Sequence, residues 1–383
     1  MHPLCPSGRL GHVDVVSPRA PRAQASSAPR RARLVVALAA IASLAACGGA
    51  YRGAATPGGA QEPPRGVEAA ALPYTILDGR TGRQLDAAEF WGRLGAARVV
   101  CVGEEHPNPH HHWAQLEVVT RLTPGAAHSS LALAMEMFQR PFQGVLDDFT
   151  AARIDESALL SRAGWSERWG YDFGLYRPIL ARMVRAGGHL VALNPAKELV
   201  KRISRQGLES LSPQERAELP ELNLSDAAHR AWFDGVMAAM SGDAHGSPHR
   251  AEPAESSGGA AEGDTAEGGH AEGGHAEGGP APAEPPAMPS AERVYTVQVL
   301  WDESMADGAA RWVRAAPDHR AIVIAGNGHC HDSAVVARVK RRGISEAVSI
   351  RPIVDTGDDE VAGALARPMN DYLFVMTLPK PVP

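Results

Sequence analysis

Cysteine is scarce in this sequence of 383 residues, which contains only four. No two cysteines are separated by two residues, and this absence argues against zinc ribbons and thioredoxin-like redox motifs. The nucleophile pattern GxSxG and the zinc-binding pattern HExxH are also missing. Their absence argues against an α/β-hydrolase triad and against a zincin protease.

A basic surface is missing as well. The formal net charge is −6, and the segment from His245 to Ser290 supplies nearly all of it, with eight acidic residues and one arginine. The rest of the chain is almost neutral, so no nucleic-acid partner is predicted.

The same segment lies within residues 241–292, which are rich in Gly, Ala and Pro and repeat the pattern AEGGH. A composition of this kind cannot bury an apolar core, so we expect a disordered insertion. Its histidines allow weak capture of transition metal ions, but a solvated insertion is the favoured interpretation.

Hydrophobic runs are short. The run Leu34–Ala46 has too few residues to cross a bilayer, follows a segment containing three arginines, and ends in Leu44-Ala45-Ala46-Cys47. This arrangement is typical of a bacterial lipoprotein signal, and an ordinary secretory signal is the alternative. We therefore expect residues 1–46 to be a signal peptide, Cys47 to be lipidated, and the protein to be exported and lipid-anchored in the bacterial cell envelope. Residues 47–72 are Gly-, Pro- and Ala-rich and are expected to form a flexible tether.

The remaining residues, 73–240 and 293–379, alternate between strand and helix patterns. Short apolar, β-branched runs predict strands at Val99–Val102, Leu131–Met135, His189–Leu193, Ala321–Ala325 and Val348–Val354. Alternation of this kind predicts an α/β fold with a mainly parallel sheet and helices on both faces.

Cys101 and Cys330 lie in this part of the chain. Two buried thiols are favoured over a disulfide between them.

Polar side chains follow four of these strands. They are Glu104, Glu105 and His106 after the first, Glu136 after the second, Asn194 after the third and His329 after the fourth. The carboxyl ends of parallel strands share one edge of the sheet, so these groups are expected to converge. Imidazole and carboxylate groups suit either a divalent metal or a general base with a partner that fixes its charge.

Six motifs occur in an order and spacing that resemble one known family. They are GEEHPNPHHH, MEMFQRPFQ, WSERWGYDFGLYRPIL, ALNPAKELVKRI, QVLWDESMA and IAGNGHCH. The chain resembles the ChaN-like haem-binding lipoproteins, which belong to the wider Tiki and erythromycin-esterase superfamily. The resemblance implies haem binding in haem or iron uptake, and an α/β core with a helical subdomain over the strand carboxyl ends. Glu104, His106, Glu136, Asn194 and His329 fall on the family's strand-end motifs. A homodimer is left open.

The residue that would ligate haem iron departs from the family pattern. Where family members have a tyrosine in a helix, this chain has His229, on an apolar stripe with Trp232, Phe233 and Met240. Imidazole is a normal axial ligand of haem iron, which makes His229 the metal-ligand prediction. A core histidine with a protein partner is the alternative. The fallback ligands are Tyr171 and Tyr176, for which aromatic packing is an equal explanation.

Two classes of function remain. The first is a lipid-anchored haem-binding protein that performs no chemistry. The second is a hydrolase that uses the Glu and His residues at the strand ends, with or without a divalent metal. The family resemblance and the aromatic residues favour binding, whereas the polar strand ends favour hydrolysis. Binding is the preferred interpretation.

The lipid anchor can be tested on Cys47. Cys47→Ser removes the thiol that would be lipidated, so the protein should lose incorporation of labelled palmitate and leave the membrane fraction. Cys5→Ser, upstream of the cleavage point, is the matched control and should change neither property. A Cys47→Ser protein that stays in the membrane fraction and still carries palmitate would show that the anchor is elsewhere.

Overall fold

The computed structural model describes residues 72–124, 130–244 and 289–378, and it contains one sheet of eight strands. The strands are β1 (Tyr74–Asp78), β2 (Gln84–Leu85), β3 (Val99–Val102), β4 (Leu131–Gln139), β5 (His189–Asn194), β6 (Arg320–Ile324), β7 (Ala347–Asp355) and β8 (Tyr372–Thr377). Their order across the sheet is β2-β1-β8-β7-β3-β6-β4-β5. The order places β3 and β6, which lie far apart in sequence, side by side in the middle of the sheet.

The sheet is mainly parallel, as predicted. The strands β3, β4, β5, β6, β7 and β8 form the parallel part, and only β1 pairs antiparallel, with β2 and with β8. The sequence pattern missed β2 and β8, and it ended β4 too early. Because β4 continues to Gln139, Glu136 lies within this strand, next to a register shift against β5.

Twelve helices accompany the sheet in the described part of the chain. They are α1 (Ala87–Ala96), α2 (Pro109–Leu122), α3 (Gln143–Thr150), α4 (Glu156–Ala163), α5 (Trp165–Arg168), α6 (Arg177–Arg185), α7 (Lys197–Gln206), α8 (Pro213–Glu218), α9 (Ala227–Ala244), α10 (Ala291–Ala315), α11 (Val335–Arg341) and α12 (Glu360–Ala366). Among these helices, none combines the length and the apolar character needed to cross a membrane.

Alternating residues of β3 divide the apolar core between two faces of the sheet. Val100 and Val102 pack with residues of α1, α2, α3, α4 and α6, on what we call the α2 face. Val99 and Cys101 pack with residues of α10 and α11, on what we call the α10 face. Burial on both faces explains why this strand is continuously apolar. The prediction of helices on both faces is confirmed.

The helix ends show why these segments begin where they do. Asn108 accepts hydrogen bonds from the backbone N–H groups of His110 and His111, at 3.0 and 3.4 Å, and Pro109 occupies the first position of α2. An asparagine cap followed by proline is the arrangement that the sequence indicated. It holds the segment after β3 against the start of α2.

Several predicted segments lie partly or wholly outside the described residues. These are the signal peptide, the lipidation site Cys47, most of the tether and most of the insertion. At the tether's end, Leu72 packs against the core of the α2 face. At the insertion's ends, α9 continues to Ala244 and α10 begins at Ala291. Helical structure therefore extends into both ends of the range 241–292. At the second end, the cap at Ser290 starts α10 earlier than the apolar pattern indicated.

Cys101 and Cys330 form a disulfide, so the expectation of two free thiols is wrong. Their Cα atoms lie 5.4 Å apart, a normal separation for a disulfide. Spacing could not reveal this pairing, because the cysteines are 229 residues apart and meet only when β3 and β6 pair.

The disulfide should stabilise the fold measurably. Replacing both cysteines, as Cys101→Ala/Cys330→Ala, removes a bond that closes a very long loop in the unfolded chain. The free energy of unfolding should then fall by roughly 3–5 kcal/mol. Urea unfolding of the variant and of the parent measures this difference. Equal stabilities would show that the bond does not constrain the unfolded chain.

Candidate functional site

The turn after β3 carries the first pair of site residues, and a glycine allows it to form. An added Cβ on Gly103 would meet Asn327 Oδ1, so a larger residue there would force the Asn327 side chain to move. The backbone N–H of Asn327 donates to the carbonyl of Glu104 at 2.8 Å. The turns that follow β3 and β6 are therefore in direct contact.

Glu104 is buried and surrounded by hydrogen-bond donors from three different segments. Its Oε1 lies 2.7 Å from His106 Nδ1 and accepts a hydrogen bond from the Tyr176 hydroxyl at 2.8 Å. Its Oε2 accepts one from Gln115 Nε2 at 2.7 Å. Burial by itself would raise the pKa of Glu104, but the contacts with His106, His112 and Gln115 outweigh it, and the pKa is lowered.

The same pair sets the state of His106. Burial lowers the pKa of His106, but the hydrogen bond and the charge of Glu104, with a contribution from Glu136, raise it above the usual value. A lowered carboxyl pKa and a raised imidazole pKa describe an ion pair in which His106 Nδ1–H donates to Glu104. The orientation of the imidazole is therefore fixed, and its Nε2 is turned away from Glu104.

His329 is held in the same manner by a different carboxylate. Its Nδ1 lies 2.7 Å from Oδ1 of Asp302, a buried residue on α10. Burial would lower the pKa of His329, but Glu136 and Asp302 raise it. The pKa of Asp302 is lowered although burial opposes this, because His229, His329 and Arg338 stabilise the carboxylate.

Glu136 lies between the two histidines. Its Oε1 is 3.5 Å from His329 Nε2, and its Oε2 accepts a hydrogen bond from the backbone N–H of Gly326 at 2.7 Å. An added Cβ on Gly326 would lie 3.1 Å from His106 Cε1 and 3.7 Å from Glu136 Oε2. Glu104, His106, Glu136, Asp302 and His329 therefore form one group, which we call the strand-end cluster.

Five aromatic residues cover this cluster from the helical side. They are Trp165, Trp169, Tyr171, Phe173 and Tyr176, which we call the aromatic cover. The rings of Trp169 and Tyr171 lie 4.7 and 5.0 Å from that of His106. The predicted helical subdomain over the strand carboxyl ends is present.

His229 has a protein partner in this structure. It is fully buried, with Nε2 2.9 Å from Asp302 Oδ2 and Nδ1 3.4 Å from the Tyr295 hydroxyl. The buried imidazole therefore contacts a carboxylate and a phenol hydroxyl in the absence of iron. Because Asp302 contacts both His229 and His329, the predicted ligand is joined to the strand-end cluster through one carboxylate. Ligation by His229 stays a prediction.

The two tyrosine candidates differ in their surroundings. Tyr176 is buried and donates to Glu104, and burial together with Glu104 raises the pKa of its hydroxyl. A raised pKa disfavours the phenolate form, which is the form that binds ferric iron. Tyr171 is partly exposed and lies over His106. Of the two, Tyr171 has the more suitable position for an external ligand.

Asn194, the fifth residue predicted at the strand ends, is not hydrogen-bonded to Glu136, His106 or His329 in the described part of the chain. Its buried Oδ1 has no hydrogen-bond partner there. Beside it, a cavity of about 530 Å³ lies at the ends of β4 and β5, and its lining includes Arg140, Pro195 and Ser304. The cavity and the strand-end cluster have no residue in common.

Several residues of the site were not predicted. Gln115, Tyr295, Gln298, Asp302 and His331 all contact a candidate residue or each other from helices or turns. Asp302 and Gln298 are four residues apart on α10, so they lie on one face of this helix, and both contact His329 Nδ1. Polar residues at this spacing on an otherwise buried helix were the available signal.

Among the residues described, no group of three or more His, Cys, Asp and Glu is arranged to hold a metal ion.

The fold and this site define an α/β protein with a ligand site at the carboxyl edge of a parallel sheet. A family model described as "Haem-binding uptake, Tiki superfamily, ChaN" matches residues 90–339. The match spans more than half of the chain and includes the whole strand-end cluster, so the chain belongs to this family.

Solved structures add a likeness of fold. The chain is similar to the structure titled "Cofacial heme binding to ChaN of Campylobacter jejuni", with a TM-score of 0.53 and 15% identity over 79% of this chain and 96% of that one. It is more distantly similar to the type III effector HopBA1, with a TM-score of 0.33 and 11% identity over 75% of this chain and 90% of that one. No curated protein matches the sequence.

A buried histidine next to the cluster should make stability depend on pH. Burial lowers the pKa of His331 to about 3, so the folded protein keeps this imidazole neutral while the unfolded chain protonates it near pH 6.5. His331 therefore contributes stability above pH 6.5, and this stability is lost as the pH falls. Between pH 7 and 4.5, His331→Gln should become less destabilising, relative to the parent, by roughly 2–3 kcal/mol.

Urea unfolding of both proteins at each pH measures this change. Leu122→Ala, which truncates a buried side chain of α2 without removing a titratable group, serves as the control and should show a difference that hardly varies with pH. A constant difference between His331→Gln and the parent would contradict burial of a neutral His331.

Proposed function

We propose that this protein binds haem at the strand-end side of its sheet and takes part in haem or iron uptake as a lipid-anchored protein of the bacterial cell envelope. The observation that carries the proposal is the family match over residues 90–339. The Campylobacter relative is described as binding haem cofacially, and the likeness of fold to it supports a comparable ligand here.

The chemistry of the available side chains fits haem. Phenol oxygen and imidazole nitrogen are both axial ligands of haem iron in proteins, and this site offers Tyr171, Tyr176 and His229. Aromatic rings of the aromatic cover suit the flat apolar face of a porphyrin. One of these residues would supply a ligand atom to the iron of bound haem, and the aromatic cover would exclude water around it.

Tyr171 is the ligand that the surroundings favour. It is partly exposed, whereas His229 and Tyr176 are fully buried. His229 contacts Asp302, and Tyr176 donates to Glu104. Ligation by His229 would require the imidazole to leave or share its carboxylate. A histidine whose second nitrogen contacts a carboxylate is nevertheless a strong iron ligand, so His229 remains the second candidate.

The remaining strand-end residues would act on the ligand through charge and hydrogen bonds. His106 and His329 have raised pKa values because Glu104, Glu136 and Asp302 lie beside them. A protonated imidazole can donate a hydrogen bond to a carboxylate of the ligand. We therefore propose that His106 and His329 bind polar groups of haem, with Glu136 between them.

The location of the protein is supported by two features of different kind. The sequence ending at Cys47 is typical of a lipoprotein signal. The Cys101–Cys330 disulfide fits an oxidising compartment such as the bacterial cell envelope. Attachment to a membrane through Cys47 is accordingly part of the proposal.

Hydrolysis is the second candidate function. His106 and His329 each have Nδ1 held by a carboxylate, which is how proteins orient an imidazole for proton transfer. The Nε2 atom of His106 is turned away from Glu104 and can face a substrate or a water molecule, whereas that of His329 lies 3.5 Å from Glu136 Oε1. The proposal of a divalent metal has less support, since the described residues contain no group arranged to hold one.

Haemin titration of the purified protein tests the haem proposal. The parent should bind haemin with a defined stoichiometry and a shifted Soret band. Tyr171→Phe, which keeps the ring and removes the oxygen, should weaken binding at least tenfold and change the spectrum. Tyr74→Phe, on β1 away from the strand-end cluster, is the matched control and should bind as the parent does.

The outcomes separate the candidates. Loss of binding in His229→Ala but not in Tyr171→Phe would assign the ligand to His229. A parent that does not bind haemin but hydrolyses a panel of simple esters, with the activity abolished by His106→Ala, would replace haem binding by hydrolysis.

A further inference from the structure

The Cys101–Cys330 disulfide joins two segments that carry the strand-end cluster. Cys101 lies in β3, three residues before Glu104, and Cys330 lies directly between His329 and His331. In the described part of the chain, this is the one disulfide, and it links residues that are 229 positions apart in sequence. The position of the bond connects it to the site as well as to stability.

The disulfide determines the path of the chain after β6. Cys101 is paired in register with Val323, yet it is bonded to Cys330, seven residues further along. Both cysteines belong to the apolar core of the α10 face. The segment after β6 therefore passes the end of the strand and turns back along this face, where the disulfide attaches it to β3.

The segment after β6 carries Gly326 and Gly328, which give its backbone wide freedom. Hydrogen bonds hold it at several points. The backbone N–H of Gly326 donates to Glu136 Oε2 at 2.7 Å, and that of Asn327 donates to the Glu104 carbonyl at 2.8 Å. Asn370 Nδ2 donates to the Cys330 carbonyl at 2.7 Å. The disulfide adds a covalent attachment at the side chain of Cys330, the residue between the two histidines.

Each of these two histidines, His329 and His331, contacts a residue on a helix. His329 is hydrogen-bonded to Asp302 of α10, and the His331 ring lies 4.4 Å from that of Trp232 on α9. We propose that the disulfide is a positioning element, which holds His329 against Asp302 and Glu136 so that haem binding requires the disulfide-bonded protein. This inference rests on the proposed function.

The bond is a permanent part of the site. Cys101 is 0% exposed and Cys330 is 1% exposed. Thiol–disulfide exchange requires a thiolate to reach a sulfur atom, and burial prevents this in the folded protein. The requirement for the disulfide is therefore set when the protein folds in an oxidising compartment.

The test compares the full-length parent with Cys101→Ala/Cys330→Ala by two measurements. The first is the ¹⁵N chemical shifts of the His329 imidazole, assigned with His329→Gln, which report its hydrogen bond to Asp302 without any haem. The second is haemin affinity. In the variant, the shifts should move to those of an imidazole without a carboxylate partner, and haemin affinity should fall at least tenfold.

Leu94→Ala is the matched control, since Leu94 is fully buried on the α2 face and its truncation destabilises the fold without touching the segment after β6. The control should keep both the His329 shifts and haemin binding. A control that loses haemin as strongly as the double variant would overturn the inference, because general destabilisation would then explain the loss. Unchanged shifts or unchanged affinity in the double variant would also overturn it.

Folding of the variant need not limit the test. The parent can be refolded with or without oxidised glutathione, which takes two electrons and two protons from the cysteine pair and becomes two thiols. If no disulfide-free form folds, the bond serves the whole fold and the local positioning role is rejected. If the parent itself fails to bind haemin, the proposed function fails, while the His329 shifts still decide the positioning role.

Discussion

A carboxylate enclosed by protein is the constraint on which this site depends. Glu104 is almost inaccessible to water, and an ionised carboxylate in such a place is costly unless donors surround it. The donors are His106 from the turn after β3, Gln115 from α2 and Tyr176 from the aromatic cover. Since each comes from a different segment, the strand end, the first helix of the site and its cover are held in one arrangement by one side chain.

Asp302 repeats this arrangement on the other side of the sheet. Its two oxygens contact His229 and His329, so a residue of α10 connects α9 to the turn after β6. Together the two carboxylates orient two imidazoles toward Glu136, which lies between them. A site built in this manner presents fixed hydrogen-bond donors to a ligand. Such a site can hold a polar edge of haem, and it can also orient a substrate for proton transfer.

The sequence was sufficient for the central strands and for the polar residues near their carboxyl ends, because both depend on local patterns. Apolar runs predicted the central strands, and parallel strands bring Glu104, Glu136 and His329 together whatever the details of packing. Residues whose partners lie across the core could not be predicted. Periodicity shows that Asp302 and His229 are on buried faces of their helices, but not that these faces meet. The disulfide likewise could not be predicted, because it depends on the pairing of β3 with β6. The strand β8 was missed for a different reason, since no helix pattern of ordinary length separates it from β7.

Binding of haem over the strand-end cluster is tested most directly by the position of iron. Crystals of the protein grown with haemin can be measured at the iron absorption edge, where anomalous scattering locates iron independently of the porphyrin. We predict one iron site per bound haem on the side of the aromatic cover, with a ligand atom from Tyr171 or His229 and with His106 beside the porphyrin. Iron bound elsewhere, or no ordered iron in crystals that contain haemin, would contradict it.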